Sequence, residues 1–375
     1  MNDDNLTLFI LAKLMEQDTV NPPGNERRAA LMLTDIFDAQ GIPCHVQELG
    51  GNRANFVAEI GESGPILEFS GHLDVVPCAG EWQHEPLRAT EEGDLIYGRG
   101  ACDMKGGVAA MCAAAISLHR EGAPLRGRLR LCFVADEEHA NLGMRAFLSS
   151  HESATWTLLG EPTDLHVAVA HRGVARFYVD LHGHACHAAL RMDRPSAVTN
   201  AARAIFAIGE MNERLLGAAH PVLPPPSIVV TQLQGYEKDN VVPGAVRLLT
   251  DFRILPGTTQ LQARERLERA LRDADISDYS IETRFYMPGG EIDTAESFVA
   301  ACCEEAARLS GHRESPRAFD ASCEQCFLVE AGSKALILGP GSLDQAHTVD
   351  EFVKREQLLR ATQLYKAIAL RMIGG

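Results

Sequence analysis

Seven ionisable side chains stand where apolar runs end: His72, Asp74, Asp103, Glu137, Glu138, Glu161 and, far downstream, His347. Gathered at one place, two imidazoles and several carboxylates would repel one another unless a cation sat among them. A mixed imidazole and carboxylate set suits zinc, cobalt or manganese. One arrangement satisfies the spacing. His72 and Glu161 hold one divalent ion, Glu138 and His347 hold a second, and Asp103 bridges the two through its two oxygens. Asp74 lies two residues after His72 on the same strand face, where its carboxylate can take the second ring N–H of that histidine and fix its tautomer. Glu137 cannot point along the same axis as its neighbour Glu138. That leaves it free to act on a water acidified between two ions about 3.5–4 Å apart. Taken singly, each of these groups is more often structural or merely exposed, and Asp136-Glu137-Glu138 alone would read as a solvated acidic loop. The constellation is a much stronger signal than its parts.

The elements that must deliver these residues alternate. Helical spacing of apolar residues covers 6–16 and 26–40, separated by the Asn21-Pro22-Pro23-Gly24 break. Strand-like runs follow at 55–60 and 65–70, the latter leading into Gly71-His72-Leu73-Asp74. An Ala-rich helix begins after Asp103. Strands at 128–134 and 155–159 end in Asp136-Glu137-Glu138 and Gly160-Glu161-Pro162. Buried strands alternating with helices predict an α/β domain with a mostly parallel sheet flanked by helices, its ligands at the carboxyl ends of the strands.

Near Gly173 the pattern changes. Strands at 174–181, 227–233, 246–254 and 280–286, with helices at 196–215 and 261–271, give the order βαββαβ of an inserted α+β ferredoxin-like domain. The first pattern then resumes, with a helix at 294–309, a strand at 335–338 and a closing helix at 351–372. The expected division is 1–173, 174–286 and 287–375.

A chain of 375 residues with 46% hydrophobic and 23% charged residues is ordinary for a globular protein of two or three domains. The net charge of −16 argues against nucleic acid or an anionic membrane as partner. Ten cysteines without a regular framework read as reduced thiols in a cytoplasm, and Cys323-Glu324-Gln325-Cys326 reads as two half-buried thiols on a helix. The N-terminus does not read as a signal peptide, and residues 106–118 are too few to span a bilayer.

Four segments carry a resemblance: Ser70-Gly71-His72-Leu73-Asp74-Val75-Val76-Pro77, Tyr97-Gly98-Arg99-Gly100-Ala101-Cys102-Asp103-Met104-Lys105-Gly106-Gly107, Ala135-Asp136-Glu137-Glu138 and Gly160-Glu161-Pro162-Thr163. In order and spacing they resemble the dinuclear zinc family of acetylornithine deacetylases, succinyl-diaminopimelate desuccinylases, aminoacylases and carboxypeptidase G. The resemblance implies two divalent metals, most simply zinc, with cobalt or manganese as alternatives. It implies His72, Asp103, Glu138, Glu161 and His347 as ligands, Asp74 as the orienting residue and Glu137 as general acid/base.

The resemblance also implies that the inserted domain carries dimer contacts and lends a histidine to the other subunit's site. In Gly183-His184-Ala185-Cys186-His187-Ala188-Ala189, His187 falls on that position as an oxyanion donor, with His184 the weaker candidate. Ala188, Ala189 and Arg191 depart from the family's usual hydroxyl residues and proline. Asn240-Val241-Val242-Pro243 and Asp251-Phe252-Arg253 resemble substrate-facing strands. Arg253 would grip a carboxylate, or else pair with Asp251, and Asn240 would assist it or the oxyanion.

The run 338–347, Leu-Gly-Pro-Gly-Ser-Leu-Asp-Gln-Ala-His, is similar to the acetylornithine deacetylase branch, and so is Glu324, which would meet a substrate amine. Cys323 and Gln325 depart from that branch. The expected reaction is hydrolysis of an N-acyl amino acid in a homodimer. The alternatives are a desuccinylase, a dipeptidase or glutamate carboxypeptidase, and a silent binding relative.

Overall fold

The computed structural model describes residues 1–190 and 193–375. Arg191 lies outside the described residues. The chain divides into two compact units. One comprises Met1–Ala170, Glu291–Phe319 and Cys323–Gly375, and the other His171–Gly290 with Asp320–Ser322.

The first unit is built on a nine-stranded sheet. Its centre is parallel: Arg128–Val134, Ile66–His72, Trp156–Leu159 and Lys334–Ile337 lie side by side in that order. Cys44–Gly50 and Arg53–Ile60 extend one margin antiparallel, and Ala168–His171 pairs antiparallel at the other. The sheet is therefore mixed, with the expected parallel strands at its core. Those strands are buried on both faces, as parallel strands are, and the charges within them pair: Arg130 meets Glu68 at 2.6 Å.

Register brings the strand ends level. His72 pairs with Val134, Ser70 with Leu159, and Leu159 with Ile337. The loops leaving those strands carry Asp74, Glu137, Glu138, Glu161 and, after a longer path, His347. The Ala-rich helix Lys105–Arg120 is buried along nearly its whole length, packed against the helices Asp3–Met15 and Arg355–Ile373. Small residues allow this. A Cβ on Gly107 would lie 2.3 Å from the Gly160 carbonyl, so glycine there lets the helix that follows Asp103 touch the loop that carries Glu161.

The final helix starts at Arg355, not at 351. Phe352–Lys354 instead forms a strand on Leu95–Tyr97, which pairs with Thr90–Glu92. Sequence periodicity also missed the Cys44–Gly50 strand and the Leu142–Ser150 helix, both short and partly exposed.

The second unit has a four-stranded antiparallel sheet, ordered Ser227–Gln234, Ala245–Ile254, Gly173–His182, Tyr279–Met287. In chain order that is 2-3-1-4, the ferredoxin-like arrangement. Ala197–Leu215, capped by Ser196, and Gln260–Asp273, opened by a Thr259/Gln262 capping box, bury their apolar stripes in one core with the inward side chains Phe177, Val179, Leu248 and Phe252. No helix among the described residues is long and apolar enough to cross a membrane.

Candidate metal centre and active site

The first unit brings His72, Asp103, Glu138, Glu161 and His347 together. His72 Nε2 lies 3.2 Å from Asp103 Oδ1 and 3.8 Å from Glu161 Oε1. His347 Nε2 lies 3.2 Å from Asp103 Oδ2 and 3.0 Å from Glu138 Oε1. Each oxygen of Asp103 therefore faces a different histidine, and each histidine has its own glutamate. Ligand atoms of His72, Asp103 and Glu138 all fall within 4.8 Å of one another. That donor set, five imidazole and carboxylate groups with one carboxylate shared, fits a pair of divalent ions better than it fits an ion-free interior.

The backbone explains how distant segments meet. His72 ends its strand, and Leu73 N–H donates to Val134 O at 2.8 Å, tying the His72 loop to the strand that leads to Glu137. Asp136 and His347 both adopt positive φ, 69° and 64°, turning the chain sharply just before Glu137 and Glu138 and at His347 itself. Asp103 sits in the loop before the Ala-rich helix, and the carboxylate of Glu351 gathers that loop. Glu351 Oε1 accepts N–H bonds from Gly100 (3.1 Å), Cys102 (2.9 Å) and Asp103 (2.9 Å), while Oε2 accepts from Arg99 at 2.6 Å. Because Glu351 follows His347 by four residues, it locks the two ligand-bearing segments together. Its only signal in the sequence is an acidic residue just ahead of a short apolar pair, too little to mark it as part of the site.

Glu351→Gln would keep the shape of that side chain and set an amide N–H against Arg99. Breaking a buried pair of this kind costs about 3–5 kcal/mol. Loosening the loop beneath a ligand costs about 10–100-fold in metal affinity. Denaturant unfolding and chelator competition read these two losses separately.

Asp74 acts differently from the expectation. The His72 Nδ1–H goes to the main-chain oxygen of Asp74 at 2.9 Å, and the carboxylate stands 3.7 Å away. The tautomer is fixed, but by the peptide. The carboxylate is occupied elsewhere, accepting the backbone N–H groups of Glu137 and Glu138, each at 3.1 Å. Successive N–H groups in the turn after Val134 point at one carboxylate, and this outcompetes the ring.

Burial dominates the electrostatics. It pushes Glu137 well above the usual carboxylate range, with Glu161, Glu138 and Glu324 adding to the effect and His72 opposing it. Glu161 rises to about 8, through burial first and then Asp103 and Glu138. His347 rises to about 10, because Asp103 and Glu138 both hydrogen-bond its protonated ring. Asp103 falls below its usual range: the two histidines outweigh its burial. Near pH 7 and without metal, Glu161 and His347 thus hold protons that a ligating group must lose. Zinc titrated into metal-free protein at pH 7 is expected to release protons, and its apparent affinity should climb as pH rises toward 8. Calorimetry in two buffers of different ionisation enthalpy checks this; identical heats would refute it.

Glu324 is buried at the start of the short Gln325–Glu330 helix, with Oε1 lacking a hydrogen-bond partner. Burial raises it well above the carboxylate range, and Asp74, Glu161 and Asp136 add to this against His72. Cys323 and Cys326 are buried rather than half-buried, and the Cys326 thiol donates to Cys323 O at 3.4 Å.

The other candidate residues lie in the second unit. His187 and Asn240 are brought together where Cys186–His187 pairs with Val241–Val242. His187 Nδ1 accepts the Ala189 N–H at 3.1 Å, and His187 Nε2 lies 3.2 Å from Asn240 Nδ2. Both side chains are exposed, as is His184. Arg253 pairs with Asp251, at 2.6 Å from Nε, and Arg176 reaches the same carboxylate at 2.8 Å. Of the two roles open to Arg253, the structure shows the pairing.

Residues 69–371 match the model of peptidase family M20/M25/M40. The chain is 28% identical to a succinyl-diaminopimelate desuccinylase of Alkalilimnicola ehrlichii, over 98% of this chain and 99% of that one. It is also 28% identical to an acetylornithine deacetylase of Myxococcus xanthus, over 88% and 87%. Its fold is that of the aminopeptidase PepT from Bacillus cereus, with a TM-score of 0.82, 18% identity and 97% of each chain covered. It is likewise that of the Bacillus subtilis YXEP protein, described as a dinuclear metal binding peptidase, with a TM-score of 0.76, 16% identity and coverage of 99% and 98%. A match over most of the chain, on a fold that carries His72, Asp103 and Glu138 at the carboxyl edge of its sheet, makes this chain an amide-bond hydrolase of peptidase family M20/M25/M40.

Proposed function

We propose that the protein removes the acyl group of an N-acyl amino acid in the manner of an acetylornithine deacetylase, using two divalent ions, most simply zinc. The observation that carries this is the sharing of Asp103, whose two oxygens stand 3.2 Å from one histidine each. Bound ions would polarise the acyl carbonyl and acidify a water. Glu137 takes the proton of the attacking water and passes it to the leaving amine, for which its raised affinity for protons suits it. Asp74 holds the peptide from which Glu137 projects. His72, Asp103, Glu138, Glu161 and His347 are the metal ligands, Arg253 faces the substrate carboxylate, Asn240 assists there or at the oxyanion, and Glu324 meets a substrate amine. Arg253 would first have to exchange Asp251 for the substrate.

Residues 1–173 and 287–375 serve as the catalytic part, and 174–286 as the inserted dimerisation domain. In the homodimer, His187 serves the oxyanion of the other subunit's site. Ten free thiols support a reducing compartment such as the cytoplasm.

A desuccinylase is the second reading, supported by the relative that matches 98% of the chain. A panel of N-acetyl amino acids, N-succinyl diamino acids and dipeptides, assayed with zinc or cobalt, decides. Fastest turnover of an N-acetyl diamino acid supports the first reading. Faster succinyl or dipeptide cleavage replaces it. Binding of acyl amino acids with no turnover of any substrate would establish a silent relative.

A further inference from the structure

The Asn21-Pro22-Pro23-Gly24 segment does more than separate two helices. Residues 19–21 run beside residues 73–75. Thr19 Oγ1 donates to Leu73 O at 2.7 Å, Val75 N–H to Thr19 O at 3.1 Å, and Asn21 N–H to Val75 O at 2.8 Å. This lays the Asn21 side chain beside the Asp74 carboxylate. Asn21 Nδ2 donates to Asp74 Oδ2 and to Asp136 Oδ1, both at 2.9 Å. Asn21 Oδ1 accepts from Arg53 Nη2 at 2.8 Å. The same guanidinium donates to Pro23 O at 2.9 Å, and its Nη1 lies 2.8 Å from both Glu26 Oε1 and Asp136 Oδ1. Asn21, Glu26, Asp74 and Asp136 are all buried.

An amide has one donor end and one acceptor end. With Arg53 donating to its oxygen, the Asn21 nitrogen is forced toward Asp74 and Asp136. A flipped amide would set its oxygen against two carboxylates. Space is reserved for this arrangement as well. Gly24 has φ +77°, and a Cβ there would lie 2.6 Å from Arg53 Cζ and 2.7 Å from Glu26 Oε1. Asp74, so oriented, caps the N–H groups of both Glu137 and Glu138.

We propose that Arg53 and Asn21 are positioning residues. Through Asp74 they fix the turn from which the general base Glu137 and the metal ligand Glu138 project. The inference rests on the roles given to those two glutamates under the proposed function.

The test uses the full-length, metal-loaded protein. Asn21→Asp replaces the donor by a third acceptor, Arg53→Met removes the orienting guanidinium, and Arg53→Lys returns one cation. Gly24→Ala displaces the guanidinium without altering a polar group. Asn21→Asp and Arg53→Met are expected to lose about 10–100-fold in kcat with KM within about twofold. Chelator competition should show one of the two metal equivalents weakened by about tenfold. Arg53→Lys should recover part of both losses, and Gly24→Ala should reproduce them more weakly. Should Asn21→Asp fail to fold, Gly24→Ala and the Arg53 pair decide alone. Variants that unfold earlier yet keep kcat and both metal affinities when folded would overturn the inference. Failure of the underlying reading looks different: Glu137→Gln would then keep its turnover, while the metal-affinity comparison still reports on Asn21 and Arg53.

Discussion

Glu137→Gln is expected to lose about 10²–10⁴-fold in kcat while both metal equivalents stay bound. The substitution conserves shape and leaves the backbone N–H that Asp74 accepts at 3.1 Å, so the turn should hold its geometry. What disappears is a proton acceptor whose proton affinity burial and three neighbouring carboxylates raise well above that of an ordinary carboxylate. The proposed ligands Glu138 and Glu161 are untouched, and metal analysis of the purified variant should return the wild-type stoichiometry. Steady-state kinetics on the best substrate of the panel measures the loss. Wild-type turnover would remove Glu137 from the mechanism, and a loss of metal together with turnover would make it a ligand instead.

Asp103→Ala should be the more damaging change. Among the described residues Asp103 is the one carboxylate within 3.2 Å of both histidines, so its removal strikes both proposed ligand sets at once. Metal content should fall from two equivalents to one or fewer. Loss of Lewis acidity worth several kcal/mol corresponds to a fall in kcat/KM of roughly 10⁴-fold. The fold should survive. Without metal, however, the two histidines hold Asp103 below its usual range, and that favourable contact outweighs its repulsion of Glu138 and Glu161. Metal-free Asp103→Ala is therefore expected to unfold somewhat earlier than metal-free wild type. If the variant instead retained two tightly bound ions, the shared-carboxylate centre would be wrong.

The reading of the chain as two kinds of architecture came from local periodicity. Period-two alternation in Gly173–His182 and Ala245–Ile254, with amphipathic helices between, is a property of each segment and survives in the folded protein. The largely apolar central strands likewise announce a sheet buried on both faces, although Glu68 and Arg130 interrupt them as a buried ion pair. Local pattern failed where pairing depends on distant partners. Phe352–Lys354 has the composition of a helix start, yet it pairs with Leu95–Tyr97.

The same division runs through the site. Residue type and position at strand ends were enough to select His72, Asp103, Glu138, Glu161 and His347, because metal chemistry requires imidazole and carboxylate donors and an α/β sheet delivers loops to one edge. Which oxygen faces which ring was not written in the sequence. Nor was the transfer of the His72 N–H from the carboxylate of Asp74 to its carbonyl. Glu351 lies 251 residues from Gly100, and Arg53 lies 32 from Asn21. A hydrogen bond is satisfied by whichever partner the chain path brings within about 3 Å, and no spacing rule encodes that path. The sequence by itself determined the donors and the class of chemistry. Only the tertiary structure decided who holds those donors still, since buried polar groups must find partners in three dimensions.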